Sequence, residues 1–206
     1  MTSKTRKIIL IGGAPTAGKS TVAELASKKL GLPWISTDQI RKIARVTANE
    51  KDYPALFLTK GYTAEQFLNK FSAKETVELE VNQGREIWPT IKKFIDEDST
   101  WKDGFIIEGI SILPELVAKD FKNNQNIKAL FLIDEDSDRI RDVVFKRGLY
   151  AKADTYSDDL KEKEVKWALL FCQRTKKQAQ KFSYPFIETS KNKDDLELVL
   201  KSIGFD

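Results

Sequence analysis

The 206 residues contain no histidine and a single cysteine, Cys172. The first absence removes the Ser-His-Asp triad and every imidazole metal site. Any general base must then be a carboxylate, a lysine or a tyrosine. The lone thiol excludes an intrachain disulfide and a cysteine-ligated cluster. No apolar run approaches the ~18 residues that a membrane-spanning helix requires. The opening MTSKTRK has no apolar signal core behind it, so the expectation is a cytoplasmic protein without a membrane partner. There is no internal repeat and no low-complexity tract. With 35 basic residues against 31 acidic ones, the net charge of +4 is mild. It suits a small anionic ligand and does not call for nucleic acid.

What is present is an alternation of short apolar runs with helical patterns. KIILI (7–11), PWIS (33–36), FIIE (105–108), IKALFLI (127–133) and YPFIE (184–188) read as strands. Between them, helices are expected over 19–30, from Asp38 to about Ala48, from Ser72 onward, after Pro114, over about 137–147, from Ser157 to about Phe182, and over 194–202. Ser72 and Glu75 have capping-box spacing. Gly84 and Pro89 predict a break or kink near Trp88. Five strands separated by helices predict an α/β protein: a parallel sheet between helical layers, forming one domain. Residues 49–100 hold no strand pattern and read as a helical insertion.

Residues 13–20, Gly13-Ala14-Pro15-Thr16-Ala17-Gly18-Lys19-Ser20, fit G-x-x-x-x-G-K-[ST] and stand between an expected strand and an expected helix. That context identifies a phosphate-binding loop. Its backbone N–H groups and the helix N-terminus would cradle a polyphosphate. Lys19 would reach the β- and γ-phosphates of ATP, Ser20 would ligate Mg²⁺, and Thr21 follows in the same turn. NKDD (192–195) spells a guanine-recognition motif, but it follows the last strand, where Asp194 is better read as a helix cap.

ISTDQIRKIAR (35–45) places Asp38 at a strand end that faces the ligand crevice of an open parallel sheet. Arg41 and Arg45 lie four apart on the following helix. Asp38 would orient or deprotonate an acceptor hydroxyl, or else serve only as a helix cap. The arginines would hold an anionic group. Glu108 ends another strand and would serve Mg²⁺ or the acceptor, with Gly109 allowing close approach. Arg139, Arg141 and Arg147 precede a polar stretch, about 148–158, that reads as a lid. Arg147, nearest that stretch, is the candidate to neutralise the transferring phosphate.

Taken together, GGAPTAGKST, ISTDQIR, IIEGISILP and the arginine-bearing helix resemble the P-loop small-molecule kinases, in particular the 2-phosphoglycerate kinase group. The resemblance runs from about residue 7 to 190. It implies a nucleoside-monophosphate-kinase-like P-loop fold with a five-stranded sheet, an acceptor lobe and a lid, and phosphoryl transfer from ATP with Mg²⁺. It assigns phosphate binding to Gly13, Gly18, Lys19, Ser20 and Thr21, and acceptor or catalytic duty to Asp38, Arg41 and Glu108. The group's histidine after the E-G pair is replaced here by Ile110-Ser111. The expected activity is therefore ATP-dependent phosphorylation of a small, anionic hydroxylated metabolite. Two alternatives stand beside it. One is a kinase of nucleic-acid 5′-hydroxyls or nucleotide sugars, like the zeta toxins. The other is an ATP-binding regulator without turnover.

Overall fold

A computed structural model describes residues 6–97 and 99–189, together with positions 199 and 201. The strands are β1 (Lys7–Gly13), β2 (Trp34–Ser36), β3 (Gly104–Glu108), β4 (Ile127–Ile133) and β5 (Phe186–Glu188). They form one parallel sheet in the order β2-β3-β1-β4-β5. The helices are α1 (Lys19–Leu30), α2 (Thr37–Thr47), α3 (Ala64–Lys70), α4 (Ala73–Glu97), α5 (Pro114–Phe121), α6 (Ser137–Arg147) and α7 (Asp158–Lys181). The expected helix over 194–202 and the NKDD segment lie outside the described residues, apart from positions 199 and 201. Among the described residues, no helix is long and apolar enough to cross a membrane.

The period-2 pattern of the central strand divides the core. Ile9 and Ile11 face one side, where α1 covers them with the small residues Ala23 and Ala26. Ile8 and Leu10 face the other side, joined by Phe105, Ile107 and Phe131, and are covered by α2, α4 and α5. Strands buried on both faces read as continuous apolar runs, as KIILI and IKALFLI do. Helix α6 adds a further layer by packing Ile140 and Val144 on Val165 and Ala168 of α7.

Local chemistry sets the element ends. At the β2–α2 junction the Ser36 hydroxyl accepts from the Gln39 N–H (3.1 Å) and the Gln39 side chain accepts from the Ser36 N–H (2.9 Å). This capping box lets the strand turn directly into the helix, and Ser36, not Asp38, is the cap. Thr63 and Gln66 repeat the device at α3, a separate short helix that the sequence pattern did not resolve. Ser72 and Glu75 form the expected box before α4. Ser157 occupies the N-cap of α7, but its side chain makes no capping hydrogen bond.

The expected break near Trp88 is absent: α4 runs unbroken from Ala73 to Glu97 with Pro89 inside it. The reason is packing. Ile87, Trp88, Ile91 and Ile95 are buried on the sheet side by side. Their burial, at roughly 1.5–3 kcal/mol each, outweighs the ~3 kcal/mol interior cost of proline. Gly84 is there for contact, not for a break: its missing side chain lets α4 approach Ser111 and Leu113.

Candidate active site

The strand register builds the site at the carboxyl edge of the sheet. Glu108 lies beside Ile11 of β1 and Ser36 of β2, so the phosphate loop, the Asp38 helix and Glu108 converge there. Between β1 and α1 the loop turns through Thr16 (φ 73°) and Gly18 (φ 81°), both left-handed. Gly18 accepts this freely, whereas a β-branched threonine does so only under constraint. The constraint comes from Arg139, which donates to the Thr16 carbonyl and the Thr189 hydroxyl, each at 3.4 Å, and pairs with the fully buried Asp134. The sequence pattern singles out Arg147 among the three arginines of this helix and gives Arg139 no role of its own. Arg141 instead reaches outward to Glu162.

Lys19 donates to the Ala14 carbonyl at 2.7 Å, curled onto its own loop. Burial draws its ammonium below the ordinary lysine value, against the opposing pull of Glu108 and Asp38. The Ser20 hydroxyl donates to Glu108 Oε1 at 3.1 Å. Glu108 is 3% exposed. Burial raises its carboxyl above the ordinary value, while Lys19 and the Ser20 hydrogen bond pull it back.

These groups open onto a cavity of about 640 Å³. Pro15, Lys19, Ser20, Glu108 and Gly109 form its phosphate-loop wall, and Asp38, Arg41 and Lys42 come from α2. Asp38 pairs with Arg41 at 2.9 Å, and Arg41 also donates to Gln83 of α4. Arg147, at the end of α6, closes the side toward Gly148, Leu149 and Tyr150. Arg45 is not in this wall. One turn further along α2, it donates to the Leu56 carbonyl and lies over the Phe57 ring. Ile110, where the resembled group has histidine, presents an apolar side chain to the cavity.

Residues absent from the sequence reading complete the wall: Glu80 and Gln83 of α4, Tyr62 and Phe67 around α3, and Tyr150 and Trp167. The one available signal was Glu80 and Gln83 at i, i+3 within an otherwise apolar helix face. The segment after Gly148 is anchored from below. Buried Glu164 accepts from the Leu149 and Tyr150 N–H groups, both at 3.2 Å, and from the Tyr156 hydroxyl at 2.7 Å. The Cys172 thiol, pushed up to about 11 by burial, lies under the site as a packing group.

No protein-family profile matches the chain, and no curated protein is significantly similar to it. Solved structures are similar in shape. Shikimate kinase from Acinetobacter baumannii, determined in complex with shikimate, superposes with a TM-score of 0.54 at 15% identity, over 96% of this chain and 95% of that one. TT1252 from Thermus thermophilus gives 0.51 at 19% identity, over 97% of each chain. With the sheet order, the glycine-rich loop and the helical layers already described, this likeness shows that the chain has a kinase-like P-loop fold, α/β/α with a five-stranded parallel sheet.

Proposed function

We propose that this chain transfers the γ-phosphoryl group of ATP to a hydroxyl of a small, anionic metabolite. The observation that carries the reading is that one cavity joins the phosphate loop, with Lys19 and Ser20, to Asp38 and Arg41 on the facing helix. A nucleotide-binding loop alone needs no such opposite wall. The kinase among the structural neighbours points the same way.

In this reading Gly13, Ala14, Pro15, Thr16, Ala17, Gly18 and Thr21 wrap the phosphates, and Lys19 leaves the Ala14 carbonyl to neutralise them. The donor set fits Mg²⁺, which binds through one or two protein oxygens and keeps water and phosphate for the rest. Ser20 and Glu108, already in contact, would hold it, and the ion would supply positive charge to the transferring group. Asp38 orients the acceptor hydroxyl and receives its proton as the new O–P bond forms and the bond to the ADP oxygen breaks. Arg41 holds the acceptor's anionic group. Arg147 faces the transferring phosphate from the lid, about 148–158, and the insertion over 49–100 supplies the remaining acceptor wall.

A small acceptor fits better than a nucleic-acid end. Three lysines of α7 are engaged within the chain, Lys161 by Asp158 (2.7 Å), Lys176 by Glu188 (2.9 Å) and Lys163 by the Leu68 carbonyl, and the apolar face of that helix is buried. The test is to incubate the protein with Mg-ATP and a metabolite pool that includes 2-phosphoglycerate, beside a Lys19→Ala variant. A phosphorylated product formed only by the unaltered protein is expected. Slow ADP release without any such product would overturn the reading in favour of a regulator.

A further inference from the structure

We infer that the acceptor carries an amino group as well as its anionic group, and that Glu80 with the aromatic wall around it seats the ammonium. This rests on the reading of the cavity as a phosphoryl-acceptor site.

Glu80 is 7% exposed, yet it lines the cavity. Its Oε1 accepts from the Tyr150 hydroxyl at 2.9 Å. Among the described residues no lysine or arginine forms an ion pair with it: the guanidiniums of Arg41 and Arg45 pull on it from a distance, but Arg41 is held by Asp38 and Gln83 and Arg45 by the Leu56 carbonyl. A buried carboxylate is costly unless a cation answers it. One neutral hydroxyl does not supply that charge.

The surroundings select the kind of cation. Tyr62, Phe67, Tyr150 and Trp167 line the same cavity in one continuous row. Ring centroids are 6.4 Å apart for Tyr62 and Phe67, 5.0 Å for Phe67 and Tyr150, and 5.2 Å for Tyr150 and Trp167. The Lys70 ammonium already lies over the Tyr62 ring, and Tyr150 and Trp167 stack on each other; such aromatic surface beside a carboxylate suits an alkylammonium better than a hydrated metal ion. Two buried donors on this wall have no partner: the indole Nε1 of Trp167 and the Nε of Arg41. Both await acceptor atoms. The wall therefore offers a negative seat at Glu80 and free donors at Arg41 and Trp167. A zwitterionic amino alcohol, such as a hydroxylated amino acid or an acidic amino sugar, satisfies both at once.

The test uses the full chain with Mg-ATP carrying an isotopically labelled γ-phosphate, in a deproteinised metabolite extract. Labelled products are separated, treated with an amine-selective acylating reagent and weighed. The main product is expected to take up the acyl group. Glu80→Gln, which keeps the shape and a hydrogen-bond acceptor for Tyr150, should lower kcat/KM for that product at least about tenfold, since a buried charge loses its partner, with the KM for ATP unchanged. A main product without an amine overturns the inference and leaves the kinase standing. So does an amine-bearing product that Glu80→Gln makes equally fast. No labelled product at all removes the kinase reading, and this inference with it.

Discussion

Asp38 and Arg45 show how two residues of one motif part company. They belong to the same short stretch, but Asp38 faces the cavity and Arg45 ties α2 to the 54–57 turn. Asp38→Asn should therefore lower turnover by about 10²–10⁴-fold, the usual worth of a positioned base, and leave the KM for ATP unchanged in steady-state assays. Arg45→Met should leave turnover intact and instead lower the urea midpoint. Normal turnover by Asp38→Asn would remove the base from the mechanism. Gly109 is a second residue-scale case. At φ 151° it lies so close to Thr37 that any side chain would overlap the Thr37 hydroxyl. Gly109→Ala should cost about 2 kcal/mol or more in denaturant unfolding, and a loss within error of zero would show that the junction yields. The glycine was legible in the sequence as a close approach, but its neighbour was not, because Thr37 meets it only through the β2–β3 pairing.

At the scale of elements, α4 is not interrupted near Trp88 because proline and glycine carry local signals that tertiary contacts can overrule. Pro89 is exposed and sits mid-helix. Pro89→Ala restores the N–H of that turn, and it should raise stability by about 1–2 kcal/mol after allowing for the freer unfolded chain. Gly84→Ala should not yield the ~1 kcal/mol expected from helix propensity alone, because the new methyl would stand 3.0 Å from Leu113 Cδ1 and 3.4 Å from Ser111 Cα. Thermal melts of both variants check the pair. A stabilised Gly84→Ala would mean that the loop before α5 gives way easily. The caps tell the opposite story. Ser72 and Glu75 behaved as their spacing predicted, since a capping box is closed by residues three apart and needs nothing distant.

Across the whole molecule, Glu80, Glu108, Asp134 and Glu164 share one property: burial raises each carboxyl above its ordinary value. Between the unfolded and folded values, the folded chain holds protons that the unfolded chain has released. Stability is therefore greatest below that window and falls as pH rises through it. The fully exposed Glu24 and Glu75 are lowered by surface hydrogen bonds, so they act only below the ordinary glutamate value. The unliganded protein should melt higher at about pH 5 than at about pH 6.5, and the difference should shrink in Glu164→Gln. A melting point that rises over that interval would contradict the carboxylate burial described here.

Periodicity, the glycine-lysine loop and cap spacing were enough to place the strands, the phosphate loop and the described helices other than α3. Each of these depends on residues a few positions apart, interacting through a backbone geometry that repeats. The far wall of the cavity was not legible in that way. Glu80, Gln83, Tyr150 and Trp167 come from α4, the segment after α6, and α7, and no local pattern relates them. Their meeting, and the parting of Arg41 from Arg45, follow from how the helices pack across the sheet, where burial and close contact set distances that spacing along the chain does not encode.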